Sequence, residues 1–173
     1  MTSNIYTVPD DPDVPVPVAF ERIAKVVESM GTSLEMIEEG EVGVADFSGF
    51  PFLFTFTSAG KFLSIRIMWT SELQMSTQAM SAMFTASDQW NRERYFPTVY
   101  TLIHDGFIQV VADFICGVEA GMNDAQLLDN ISAGVAAGMD GMNFMQSVAE
   151  TIGQQMSGEA GGSEDGRGAA FGL

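Results

Sequence analysis

SDQWNRERYFPTVYTLIHDGFIQVVADF, residues Ser87 to Phe114, is the stretch whose reading decides the fold. A helix end carrying Trp90, Asn91, Arg92 and Arg94 runs into Pro97, which pushes Phe96 out of helical geometry. Two apolar strands follow. In the first, Tyr100 and Leu102 alternate with Val99, Thr101 and Ile103; in the second, Ile108, Val110, Ala112 and Phe114 alternate with Phe107, Gln109, Val111 and Asp113. Asp105-Gly106 between them is a favoured two-residue hairpin turn. A helix leading straight into a hairpin predicts an antiparallel α+β domain, with no crossover except across that helix.

Upstream, Phe20, Ile23, Val26, Val27 and Met30 recur at helical spacing and predict a first helix over 18–30, stopped by Gly31. Four short strand candidates follow. They are Leu34 to Ile37, Val42 to Phe47, a run bearing Phe52, Phe54 and Phe56, and a return run bearing Leu63, Ile65, Ile67 and Trp69. The last two share a large apolar face that belongs to the core. Their other face, with Leu53, Phe62, Arg66 and Met68, is mixed and is either half exposed or holds a partner. Ser71 is placed to cap the second helix, expected over 72–93 with Leu73, Met75, Met80, Met83, Phe84 and Trp90 as its apolar positions.

Downstream, Asn123 and Gln126 form a capping-box pattern ahead of a third helix over 124–153. Gly134, Gly138 and Gly141 within it either allow a close crossing or kink the helix near Gly141, and the number of breaker residues favours the kink. Four prolines in the first 17 residues predict a flexible Pro/Asp-rich arm over 1–17. The glycine-rich acidic end predicts a disordered tail over 156–173. One domain, 18–155, lies between.

Composition excludes several classes. With 23 acidic against 7 basic residues the chain carries a net charge of −16, which repels nucleic-acid backbones and anionic membrane surfaces and favours basic proteins or peptides. Arg92 and Arg94 are a local basic pair in this acidic background. The single cysteine, Cys116, rules out an internal disulfide. The N-terminal stretch shows no signal peptide and no apolar run reaches a spanning length, so a cytoplasmic protein is expected.

Catalytic constellations are sparse. His104 is the one histidine, so neither a two-histidine metal site nor a zinc-finger spacing is available. His104 beside Asp105 reads as a turn pair whose side chains point apart, and Cys116 as a buried, inert thiol. The carboxylates read as a solvated acidic face. Asp113 is the exception, set among apolar neighbours and expected to pair with Arg92 or Arg94. No glycine pattern has the context of a nucleotide site. No cofactor is expected.

The layout from Trp90 to Phe114 resembles the YbjN-like family of bacterial proteins. The resemblance is carried by Asn91, Arg92, Phe96, Pro97 and Asp105-Gly106, by the strand GKFLSIRIMW from Gly60 to Trp69, and by a last helix beginning near Asn123 and containing Phe144. It covers roughly residues 18–152, and the acidic character is similar to that of the actinobacterial branch. It implies a fold like the type III secretion chaperones, in the order α-β-β-β-α-β-β-α. That order has three strands before the second helix and leaves Leu34 to Ile37 outside the strand set. Names such as "sensory transduction regulator" go with the family, and it brings no catalytic residue to carry over.

The expected function is a non-enzymatic, protein-binding or regulatory role of adaptor or chaperone type, with a protein or peptide partner and a homodimeric state. The alternatives are a homo-oligomeric structural element with no separate ligand, and an enzyme or small-ligand protein with an unrecognised pocket. Trp90, Asn91, Arg92, Arg94, Phe96, Pro97, Asp105 and Gly106 form the candidate structural or binding motif.

Overall fold

The computed structural model describes residues 13–161; residues 1–12 and 162–173, most of the expected arm and of the expected tail, lie outside the described residues. The elements in chain order are α1 (Phe20–Ser29), β1 (Glu35–Glu38), β2 (Val42–Phe47), β3 (Phe50–Thr57), β4 (Phe62–Gln74), α2 (Thr77–Glu93), β5 (Thr98–His104), β6 (Phe107–Gly117) and α3 (Asp124–Gly161). The strands form a six-stranded antiparallel sheet in the order β1-β2-β3-β4-β6-β5. The fold is the expected α+β class.

Alternation along the strands sorts the side chains onto two faces. Gly43, Phe54, Ile65 and Phe114 lie in one cross-strand row, and Ala45, Phe52, Ile67, Ala112 and Val99 in the next. These rows face the helices. The large residues in them are fully or nearly fully buried, together with Ile23 and Val27 of α1, Met83 of α2 and Leu127, Ile131, Met142 and Met145 of α3. The buried helix methionines fill this core.

α3 settles the choice between kink and close crossing. It is one uninterrupted α-helix, and Gly134 and Gly138 let it lie directly on the sheet. A Cβ on Gly138 would stand 2.8 Å from Cε1 of Phe52, and one on Gly134 would stand 2.9 Å from Cδ1 of Phe114. The capping box closes reciprocally. The Gln126 amide donates to Oδ1 of Asn123 at 2.8 Å, and the Asn123 amide donates to Oε1 of Gln126 at 3.0 Å. The helix runs past the expected end at Gly153 to Gly161, because extending a formed helix costs little per residue and Met156 still packs on the core.

Three other expectations are corrected. β1 does pair with β2, with Glu35 opposite Val44 after the Gly40 turn, so four strands precede α2 instead of the three in the resemblance's order. The second helix starts later than the pattern predicts. Residues 72–74 extend β4, whose pairing with β6 reaches Gln74 opposite Phe107 through an irregularity after Thr70. Ser71 is therefore buried in the sheet, and Ser76 is the cap, its Oγ accepting from the Ala79 amide at 3.1 Å. Phe84 of α2, counted with the apolar stripe, faces outward.

The described end of the arm is tied down where flexibility through Pro17 is expected. The Val16 amide donates to the Met122 carbonyl at 3.2 Å and the Met122 amide returns a bond to Val16 at 3.0 Å. The Arg22 guanidinium donates to the carbonyls of Val16 and Pro17 and pairs with Asp124 at 2.7 Å.

Gly138→Ala sets a gain in helix propensity against overpacking a fully buried ring. Overpacking wins, and stability falls by about 1 kcal/mol or more. Gly153→Ala meets only Leu73 Cδ2 at 3.8 Å and is expected to be neutral or stabilising. Paired urea unfolding curves check both; a stabilised Gly138→Ala protein would contradict the close seating.

Candidate functional site

The Trp90–Pro97 motif is where α2 hands over to the sheet. Trp90 is buried. It packs on Phe144 of α3 at 5.5 Å between ring centroids, over Gly141, and its Nε1 donates to the Pro97 carbonyl at 3.1 Å. Asn91 uses both ends of its amide on one residue. Its Nδ2 donates to the Val99 carbonyl at 2.8 Å, and its Oδ1 accepts from the Val99 amide at 2.9 Å. The side chain thereby occupies the edge of β5 as a neighbouring strand would.

Arg92 forms an exposed ion pair with Asp88 one turn earlier in α2. Among the described residues Arg94 reaches no carboxylate; its guanidinium lies 5.5 Å from the Trp90 ring centroid. Phe96 is half exposed and meets Phe114 edge-on at 5.3 Å, and the Phe96–Pro97 peptide is cis. Asp105 and Gly106 sit at the far end of β5 with φ of 50° and 80°, the pair of positive values that a type I′ hairpin turn needs. The structure thus brings Trp90, Asn91, Arg94, Phe96 and Pro97 together, and leaves Asp105 and Gly106 as turn residues away from them.

The second notable region is the sheet face opposite the helices. Val44, Leu53, Arg66, Asp113 and Thr98 form one row across it, and Met68, Val111 and Tyr100 the next. The helices pack on the other face. Val111 and Asp113 are buried among their neighbours on this face, whereas Met68 and Thr98 are exposed. Ile115 is 55% exposed, Leu102 47%, Phe62 42% and Met68 36%.

At the centre of this face Asp113 is buried. It accepts from Ser64 Oγ at 2.6 Å and is paired with Arg66, its cross-strand neighbour, and not with Arg92 or Arg94. Burial works to lower the Arg66 pKa, but the hydrogen bond and charge of Asp113 outweigh it and hold the guanidinium above its ordinary range. Such a fully bonded carboxylate is a structural pair; it has no free oxygen positioned for proton transfer.

Other candidates separate in space. His104 and Asp105 approach to 3.5 Å instead of pointing apart, but both are exposed on the turn. Cys116 and His104 lie at opposite ends of the β5–β6 hairpin, so no thiol–imidazole pair forms. Burial raises the Cys116 pKa, which leaves its sulfur a poor nucleophile at neutral pH. Among the described residues, no group of three or more His, Cys, Asp or Glu is placed to hold a metal ion, and no helix is long and apolar enough to cross a membrane.

Sequence reasoning missed the convergence of Tyr95 and Phe96 with Phe144 around the Trp90 ring. No local pattern announces it, because Phe144 arrives from α3. A wide-mouthed groove of about 730 Å³ lies among these residues.

Trp90→Ala is expected to cost about 3–5 kcal/mol, the usual range for a buried aromatic. Asn91→Ala removes two bonds at a partly exposed edge and is expected to cost about 1 kcal/mol. Denaturant midpoints measure both, and an unchanged midpoint for Trp90→Ala would remove the motif's structural role.

A family model described as "YbjN: Putative bacterial sensory transduction regulator" matches residues 19–146. The chain is also similar to a solved structure described as "YbjN, a putative transcription regulator from E. coli", with a TM-score of 0.57 and 11% sequence identity, over 82% of this chain and 96% of that one. At that identity the likeness concerns the fold. No curated protein matches the chain.

Proposed function

The chain belongs to the YbjN family, and from that premise we propose that it is a non-enzymatic regulatory protein that works by protein contact, as a homodimer joined through the open face of its sheet. The observation that carries this reading is the sheet face that no helix among the described residues covers. Ile115, Phe62, Met68 and Leu102 leave apolar surface in water on one side of a sheet whose other side holds the whole core. Apolar surface of this kind marks a contact site.

A second copy is the occupant that suits it. A two-fold axis brings the same patch against itself, and two sheet faces can pack about 10 Å apart with their side chains interdigitated. Arg66 and Asp113 are paired with each other near the centre, so two such faces can meet without an unpaired charge between them. The net charge of −16 opposes pairing. That repulsion is screened beyond about 8 Å at physiological salt, whereas apolar burial is not. The reading places the protein in the cytoplasm, in keeping with its one free thiol.

Sedimentation equilibrium across a salt series tests it. The expected result is a dimer at low micromolar protein that persists as salt is raised. The double substitution Phe62→Ser with Ile115→Ser, at two exposed positions that leave the core intact, is expected to give a folded monomer. A monomer mass for the unaltered chain at every salt concentration sinks the reading.

A further inference from the structure

On the helix side of the molecule, away from the open sheet face, four aromatic residues surround the groove between the end of α2 and α3. Trp90 forms its floor and Phe144 one wall; Tyr95 and Phe96 stand at the mouth, Tyr95 fully in solvent and Phe96 half so. Two carboxylates, Glu93 and Asp140, line the same groove. Among the described residues Asp140 has no hydrogen-bond or ion-pair partner, and Glu93 accepts only one bond, from Gln89 at 3.1 Å.

Arg94 reports what this groove holds. Its guanidinium has two carboxylates lining the same space, yet it makes no ion pair and lies over the indole ring at 5.5 Å. An indole face attracts a cation through its quadrupole, and several rings with nearby carboxylates make a cation receptor. Arg94 is tethered four residues from Trp90 on the same stretch of chain and leaves both carboxylates unused.

We propose that this groove is a receptor for an arginine side chain of a basic protein segment, and that Arg94 is its resident stand-in, displaced when the partner's guanidinium arrives. The incoming cation takes the indole face and adds the contacts with Asp140 and Glu93 that Arg94 does not make. Arg94 then moves out to solvent on its flexible stem. An anionic ligand is disfavoured, because the two carboxylates outnumber the one guanidinium in a chain of charge −16. The proposal names the partner's chemistry for the protein-contact reading above and rests on that reading. It does not depend on the dimer.

The test uses a blocked tri-arginine peptide and the same peptide with citrulline in place of arginine, added to the full chain at physiological salt. The indole N–H resonances of Trp90 and Trp69 are the reporter and the internal control. The expected result is a saturable shift of the Trp90 signal with arginine and none with citrulline.

Arg94→Ala is expected to tighten binding about two- to five-fold by removing the resident cation. Asp140→Asn is expected to weaken it by a similar factor, about two- to five-fold, through the loss of one exposed ion pair. Glu28→Gln on α1 makes the same change in net charge outside the groove and is expected to have no effect. Equal weakening by Asp140→Asn and Glu28→Gln would mean general attraction to an acidic protein and would overturn the proposal. So would weaker binding by Arg94→Ala, or equal binding of the citrulline peptide. Sedimentation of the same samples separates the two readings, since a dimer that ignores the peptide removes only the groove.

Discussion

The structure depends on how closely α3 lies on the sheet. Gly134 and Gly138 bring the helix backbone down onto Phe114 and Phe52, with no room for a methyl group between. That contact fixes the depth of the core. α1 and α2 then pack beside α3, α2 along β5 and α1 near the Phe56 end of β3, where Phe20 meets the Phe56 ring at 5.0 Å. All three helices share one face. Among the described residues no helix covers the opposite face, which is why the molecule has two dissimilar sides.

Those sides differ in chemistry as well as in shape. The open sheet face sets a bonded charge pair, Arg66 and Asp113, within a surround of aliphatic and aromatic side chains. A buried carboxylate at that position is tolerated because Ser64 and Arg66 satisfy it; without them it would have to be neutralised or hydrated. On the helix side four aromatic residues converge where the loop between α2 and β5 passes α3. The two regions are built from different elements and can be altered independently.

Much of the fold was legible from local pattern. The Asp105-Gly106 hairpin, the Asn123–Gln126 capping box and the aromatic face of Phe52 and Phe54 each follow from spacing over a few residues. The beginning of α2 did not, because residues 72–74 carry helix-compatible side chains while their pairing with β6 holds them extended. Long-range partners were hidden for a related reason. Asp113 pairs with Arg66 because the β4–β6 register places them opposite each other, and no local pattern states a register. At the site, the burial of Trp90 was readable from its place among the apolar positions of the second helix. The assembly of an aromatic groove was not, since its walls come from α2, the following loop and α3.

The Asn91 side chain also bears on how sheets of this kind may join. With both bonding groups of Val99 occupied and α2 packed against β5, a foreign strand cannot complete a ladder through Val99 at that margin. The opposite margin, β1, is short and carries Glu35 and Glu38. Among the described residues, β1 is therefore the less obstructed margin for strand addition by a second molecule of the same chain.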